Sequence, residues 1–315
     1  MRSSVLPAAL AAAVLLLAGC SDGGAGGASG AGPALSGPVP TPADAGALRL
    51  PLQEYLPDDG ELERLGRAQR ILTDQCMARY GFRYRVPELP PAGSPGNTRR
   101  YGLADPAEAA AGGYGTLGAD GPAKPAQPSM DPAERLVLGG EDGADPASLP
   151  GNQADVEKSG RSSGRVNGLP VPPGGCVREG YLKLWVPTAG APDPLKVQDL
   201  DAEGYDRSRR DARVDAAREG WVRCMAGRGY RAQNPVSPQP ELGLRPEAFT
   251  GPEGITAATA DVACKRETNL VGIWFAVESA YQRELIERNG ELLRSSRRQL
   301  DDSLRLAAGL VTSVG

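Results

Sequence analysis

The chain has 315 residues, with 35 Lys plus Arg against 39 Asp plus Glu, no His, 42 Gly and 29 Pro. A net charge of -4 gives no basic surface for nucleic acid, and the lack of His removes the commonest general base, the Ser-His and Cys-His nucleophile pairs and the usual zinc ligand set. Carboxylate chemistry survives, because two Asp or Glu side chains can supply acid and base without imidazole, and so much Gly and Pro makes the ordered part smaller than the length suggests.

The first residues carry Arg2, an apolar run from Val5 to Leu17, and then Leu17-Ala18-Gly19-Cys20. That run is too short to span a bilayer and reads as a secretory signal over residues 1–19. Its last four residues resemble the lipobox of bacterial lipoproteins. The resemblance implies cleavage before Cys20, a lipid on Cys20, and a mature protein anchored to the membrane on its extracytoplasmic face by two or more acyl chains. Residues 20–49 follow as a tether: Ser21 to Ala47 is Gly, Ala, Ser and Pro with almost no large apolar residue, so a flexible leash is expected.

Order is expected from about Leu50. Asp59 to Tyr80 places Leu62, Leu65, Leu72 and Cys76 at helical spacing and stops at Gly81. Asp105-Pro106-Ala107-Glu108 and Asp131-Pro132-Ala133-Glu134 each set Pro at a first helical position behind an N-cap, predicting two short helices. Val166-Asn167-Gly168-Leu169 suits a small hairpin with a type I′ turn. Gly174-Gly175-Cys176 opens a helical segment to about Trp185, and Asp206 to Arg228 reads as one amphipathic helix carrying Val214, Ala217, Trp221 and Cys224.

A Pro-rich link from Asn234 to Pro246 leads to the longest predicted helix, Ala257 to Asn289, with Thr256 as its N-cap. Leu270, Trp274, Val277, Tyr281 and Leu285 form its buried stripe. Beyond Gly290, Glu291 to Val311 either continues that helix or docks separately.

Cys76-Met77-Ala78-Arg79-Tyr80-Gly81-Phe82-Arg83 and Cys224-Met225-Ala226-Gly227-Arg228-Gly229-Tyr230-Arg231 read almost alike. Each sets a Cys on a last helical turn, a Gly cap five residues on, and an aromatic directly after it. Each is followed by one more Cys, Cys176 or Cys264. Four Cys in an exported chain predict two disulfides, and of the three pairings the duplication favours Cys76 with Cys176 and Cys224 with Cys264. A Cys metal site or a redox dithiol lacks the Cys-x-x-Cys spacing.

Tyr80-Gly81-Phe82, Gly174-Gly175-Cys176, Trp221 with Cys224-Met225, and Ala260-Asp261-Val262-Ala263-Cys264-Lys265 with Thr268-Asn269-Leu270 resemble a group of actinobacterial, streptomycete-type exported lipoproteins over roughly residues 50–293. The resemblance implies location and architecture, and brings no catalytic residues.

Gly160-Arg161-Ser162-Ser163-Gly164 satisfies the Gly-x-Ser-x-Gly pattern of serine hydrolases, but without a His it reads as coincidence. Glu278 projects between Trp274, Phe275 and Tyr281, an apolar surround that would raise a carboxyl pKa. Asp261, Arg266 and Asn269 share its predicted helix and are candidates to line a polar pocket with it. The competing assignment for Glu278 is an ion pair with an Arg, and for the other three, hydrogen bonds that tie down loops.

The sequence therefore predicts a mainly α, loop-rich fold of two pseudo-repeated, disulfide-stapled halves, residues 50–190 and 191–315, with a long C-terminal helix. It predicts a lipid-anchored extracytoplasmic protein, non-enzymatic, without cofactor or metal. Its expected partners are the membrane through Cys20 and an envelope protein complex, with no nucleic acid. A small-molecule or glycan binding lipoprotein is the alternative, and a carboxylate hydrolase the second.

Overall fold

Helix α1 (Asp59–Ala78) begins with a reciprocal cap: the Asp58 carboxylate accepts from the Glu61 amide at 2.7 Å, while Glu61 accepts from the Asp58 amide at 3.0 Å. Two otherwise orphaned donors are satisfied together. The computed structural model describes residues 32–43, 45–84, 97–115 and 130–314. The apolar leader, the lipobox and Cys20 lie outside the described residues.

The two short Pro-led helices form where expected. In α2 (Pro106–Gly112) and α3 (Pro132–Gly139), Asp105 and Asp131 accept from first-turn amides. Helix α4 (Gln153–Ser159), capped by Asn152, was not foreseen. Strands β1 (Arg165–Val166) and β2 (Leu169–Pro170) pair antiparallel, with Asn167 and Gly168 at φ 51° and 80°, the left-handed pair that a type I′ turn requires. Helix α5 (Gly175–Trp185) then lies along α1.

The helix expected over Asp206–Arg228 is two helices, α6 (Leu195–Ser208) and α7 (Ala212–Gly227). Asp211 separates them, accepting from the Arg213 amide at 2.9 Å as the α7 cap. Most of α6 has no counterpart in the sequence reading. Its apolar positions are sparse, and only Val197 and Leu200 reach a cluster built on Leu52 of the 3-10 helix Pro51–Tyr55 and Leu293.

The predicted helix from Ala257 to Asn289 is also two, α8 (Pro252–Glu267) and α9 (Leu270–Arg288). Asn269 sits at φ 49°, ψ 34° between them, a left-handed conformation that Asn tolerates better than most residues. Thr256 is not the N-cap. Gly251 is, and the Thr256 hydroxyl donates to the Pro252 carbonyl inside the first turn.

Trp221, Trp274, Leu270 and Val277 centre the largest core cluster, where α7 meets α8 and α9. The long C-terminal helix is α10 (Gly290–Val314), which departs from α9 at Asn289 and docks separately. Its Leu300 and Ala307 pack with Leu65 and Ala68 of α1 and Leu184 of α5, and Ser303 donates to the Leu184 carbonyl at 2.6 Å. A boundary at 190/191 therefore does not isolate two independent halves, because the last helix of the second completes the core of the first. From Gly32 onward the chain is one compact unit.

The leash expected up to Ala47 is held from Gly32 onward. Leu35 and Leu48 pack on the main core. The Pro33 carbonyl accepts from Arg213 at 3.0 Å and the Pro40 carbonyl from Asn269 at 2.9 Å. Gly272 admits this strap, since a Cβ there would stand 1.9 Å from the Pro40 oxygen.

Candidate functional site

Both predicted disulfides are present, Cys76–Cys176 and Cys224–Cys264, with Cα separations of 5.5 and 5.6 Å. The duplication extends to the backbone. After α1, Gly81 N donates to Ala78 O at 3.1 Å and Phe82 N to Met77 O at 3.2 Å; after α7, Gly229 N donates to Ala226 O at 3.0 Å and Tyr230 N to Met225 O at 2.9 Å. These are two Schellman caps in the same register, with Gly81 at φ 84° and Gly229 at φ 87°.

A further match escaped the sequence reading: Cys176-Val177-Arg178-Glu179 and Cys264-Lys265-Arg266-Glu267 share Cys-x-Arg-Glu. Each Glu pairs with an Arg just beyond the first Cys of its own staple, Glu179 with Arg79 and Glu267 with Arg228. Aligning the two downstream Cys would have revealed it.

The four residues expected to line one polar pocket occupy three surroundings. Glu278 is fully buried within a closed network. Arg100 forms an ion pair with its Oε1, Tyr101 Oη donates to its Oε2 at 2.8 Å, and Gln282 Nε2 donates at 3.1 Å. Arg100 also reaches Asp201 at 3.0 Å and lies over the Tyr205 ring, 5.3 Å from its centroid. Burial pushes the Glu278 carboxyl above its ordinary range, against the pull of Arg100 and Tyr101. The geometry is that of the ion-pair assignment, with the carboxylate committed to partners on every side.

Asp261 is equally buried. It accepts from Trp221 Nε1 at 2.8 Å and from Lys265 Nζ at 3.1 Å, and Lys265 donates onward to the Leu103 carbonyl at 2.8 Å. Burial raises the Asp261 pKa and lowers that of Lys265. Arg266 is exposed, and with Asn269 it borders a recess of about 10 Å³, room for about one water. The structure brings Arg266 and Asn269 together but does not join them to Glu278.

Gly160 caps α4 at φ 60°, and Gly164 leads into β1. That order, helix to loop to strand, reverses the strand-turn-helix elbow that a nucleophilic Ser needs. Among the described residues no group of three or more His, Cys, Asp or Glu is placed to hold a metal ion.

Two concave sites lie elsewhere. One is a shallow depression of about 420 Å³ beside the first staple, edged by Arg79, Glu179 and Lys183, where the one Glu179 carboxylate is shared between the two cations. The other is a groove of about 190 Å³ between the 3-10 helix Pro51–Tyr55, α1, α5, α6 and α10, walled by Tyr55, Tyr181 and Trp185. No sequence signal marked it, because its walls come from five segments far apart in the chain.

No family model, no curated protein and no solved structure matches the chain.

Proposed function

We propose that this protein is a lipid-anchored, extracytoplasmic accessory protein of the cell envelope, non-enzymatic, that works by binding. The observation carrying this reading is the use of cysteine. Of five Cys, four are consumed in two bridges that join equivalent positions of a duplicated motif. Such bridges persist in an oxidising compartment. The remaining Cys20 stands at the end of the apolar leader, where the lipobox resemblance puts the lipid. The hydrolase reading loses its one named residue, since Glu278 is sealed and ion-paired.

A small-molecule or glycan binding role is the second reading, favoured by the aromatic-walled groove. The anchoring is tested by growing cells with an alkyne fatty acid, coupling a fluorophore to it, and fractionating wild type and Cys20→Ala. Label and membrane association, both lost in Cys20→Ala, are expected; a labelled Cys20→Ala, or an unlabelled wild type, overturns it. Crosslinking in intact cells followed by affinity capture tests the accessory role, with recovery of one recurring envelope complex as the expected result and recovery of the protein alone as the contrary one.

A further inference from the structure

We propose that the groove between the 3-10 helix Pro51–Tyr55, α1, α5, α6 and α10 binds an uncharged, largely hydrocarbon small molecule that carries one hydrogen-bonding group. This inference rests on the second reading above and names its ligand class.

The lining decides the class. The chain is 23% charged, yet none of the described residues that line the groove carries a charge. An ionised ligand would shed water there and meet no counter-charge, which selects against it. Rings and aliphatic side chains dominate instead: Tyr55, Tyr181 and Trp185 form the walls, and Leu62 and Leu195 stand at the mouth with 49% and 51% of their surface exposed. Apolar side chains so open on a folded body gain by being covered.

The polar groups are few, and one of them is buried without a partner among the described residues. Ser296 of α10 is only 7% exposed, lines the groove, and its hydroxyl has no partner among the described residues. Farther along the same helix, Ser303 and Thr312 donate to the carbonyl one turn back, to Gln299 at 2.9 Å and Ala308 at 3.1 Å. Ser296 forgoes that bond, and a buried hydroxyl left unpaired costs stability unless something from outside completes it. The side-chain amides of Gln69 and Gln198 line the same groove and make no hydrogen bond among the described residues. One ligand hydroxyl or carbonyl at Ser296, with its hydrocarbon along Trp185 and the rim leucines, pairs the buried hydroxyl and covers the exposed apolar rim.

The test uses the full chain carrying Cys20→Ala, prepared without detergent, so that neither an acyl chain of its own nor a micelle competes. The probes are 1-decanol, decanoate at pH 8, and maltopentaose. Tryptophan emission reports on this groove, because Trp221 and Trp274 are buried in the core while Trp185 is partly exposed in its wall.

Saturable binding of 1-decanol is expected, with decanoate at least about tenfold weaker. Ser296→Ala should weaken decanol binding by about threefold to tenfold while leaving the thermal midpoint unchanged or higher. Leu195→Lys, at an exposed position, should abolish binding without unfolding the chain.

No saturable response to decanol, equal affinity for decanoate, or a Ser296→Ala chain that is less stable yet binds normally overturns the inference. Saturable binding of maltopentaose alone also overturns the ligand class but keeps the binding-protein reading. Silence with all three probes removes the groove as a ligand site, and leaves the fatty-acid labelling and complex capture to judge the anchored accessory role separately.

Discussion

Arg79 forks onto Glu179 directly beside the first disulfide, with hydrogen bonds of 2.9 and 2.5 Å, and Cys76 Sγ lies 3.4 Å from the same carboxylate. Lys183, one turn further along α5, adds a third contact at 2.5 Å. Beside the second disulfide, Arg228 with Glu267 is a single contact of 3.1 Å between exposed side chains. The two Glu occupy equivalent places but their Arg partners do not, since Arg79 falls opposite Gly227 in the repeat and Arg228 opposite Tyr80; Glu179 is buried and Glu267 exposed.

Because Glu179 is 7% exposed and Glu267 is 64% exposed, the two copies should not matter equally. Glu179→Gln leaves Arg79 and Lys183 with one neutral amide for a partner and should cost about 2 to 3 kcal/mol. Glu267→Gln should cost under about 1 kcal/mol, as exposed pairs generally do. Urea unfolding of the two variants measures this directly, and equal losses would show that burial does not set the difference.

Acid should destabilise the protein through two carboxylates. Arg213 holds Asp211 below the usual range through its hydrogen bonds, against a smaller opposing effect of burial. Burial opposes ionisation of Glu179, but the hydrogen bonds and charges of Arg79 and Lys183 outweigh it and hold this carboxyl low as well. A carboxyl depressed by folding contributes stability that is complete above its unfolded pKa, about 3.9 for Asp and about 4.3 for Glu. That contribution is lost as pH falls through the lower folded value. Glu278, raised by burial, runs the other way and loses its contribution as pH rises, so it cannot cause an acid limb. Thermal midpoints at pH 7 and pH 3 should fall less steeply in Asp211→Asn than in wild type. An unchanged slope would remove Asp211 from the account.

The disulfide pairing, the two Schellman caps, the hairpin and the Pro-led helices were legible because each rests on a local signal: a repeated octapeptide, Asn-Gly, Asp-Pro. What was not legible is long-range. No local pattern announces that Arg100, from the turn that begins at Asn97, will reach Glu278 178 residues away. Nor does one announce that α10 will leave α9 and cover α1. The break at Asn269 was hidden for a different reason. The apolar stripe from Leu270 to Leu285 is continuous with the buried side of α8, so periodicity alone joins two helices that one left-handed residue separates.

That residue carries the next prediction. Asn269 both adopts the left-handed turn and donates to the Pro40 carbonyl, so its two roles can be separated. Asn269→Gly keeps the backbone conformation and loses only the hydrogen bond, a cost of about 1 kcal/mol. Asn269→Val adds the left-handed strain of a β-branched residue and should cost about 1 to 2 kcal/mol more. Gly272→Ala should expel the strap near Pro40 while leaving α8 and α9 in place. Hydrogen exchange then reads faster exchange confined to residues 32–43; uniform acceleration across α9 would mean the strap is integral to the core.

Glu278 and Arg100 allow the ion-pair assignment to be tested against any chemical role. Glu278 is sealed, and Arg100 is shared between it and Asp201. Glu278→Met leaves the guanidinium short of one buried counter-charge and should cost about 3 to 5 kcal/mol. Arg100→Met strands the carboxylate instead and should cost a similar amount. Replacing both, Arg100→Met with Glu278→Met, removes both desolvated charges and fills the space with apolar side chains. The double variant should therefore recover much of the loss, whereas additive losses would mean that each residue holds the fold through separate contacts. Such a double-mutant cycle by urea unfolding requires no substrate. A strongly non-additive result identifies the network as a structural clamp joining the turn at Arg100, α6 and α9, the junction on which the 3-10 helix beside the groove is seated through Gln282 and the Leu52 amide, 2.9 Å apart.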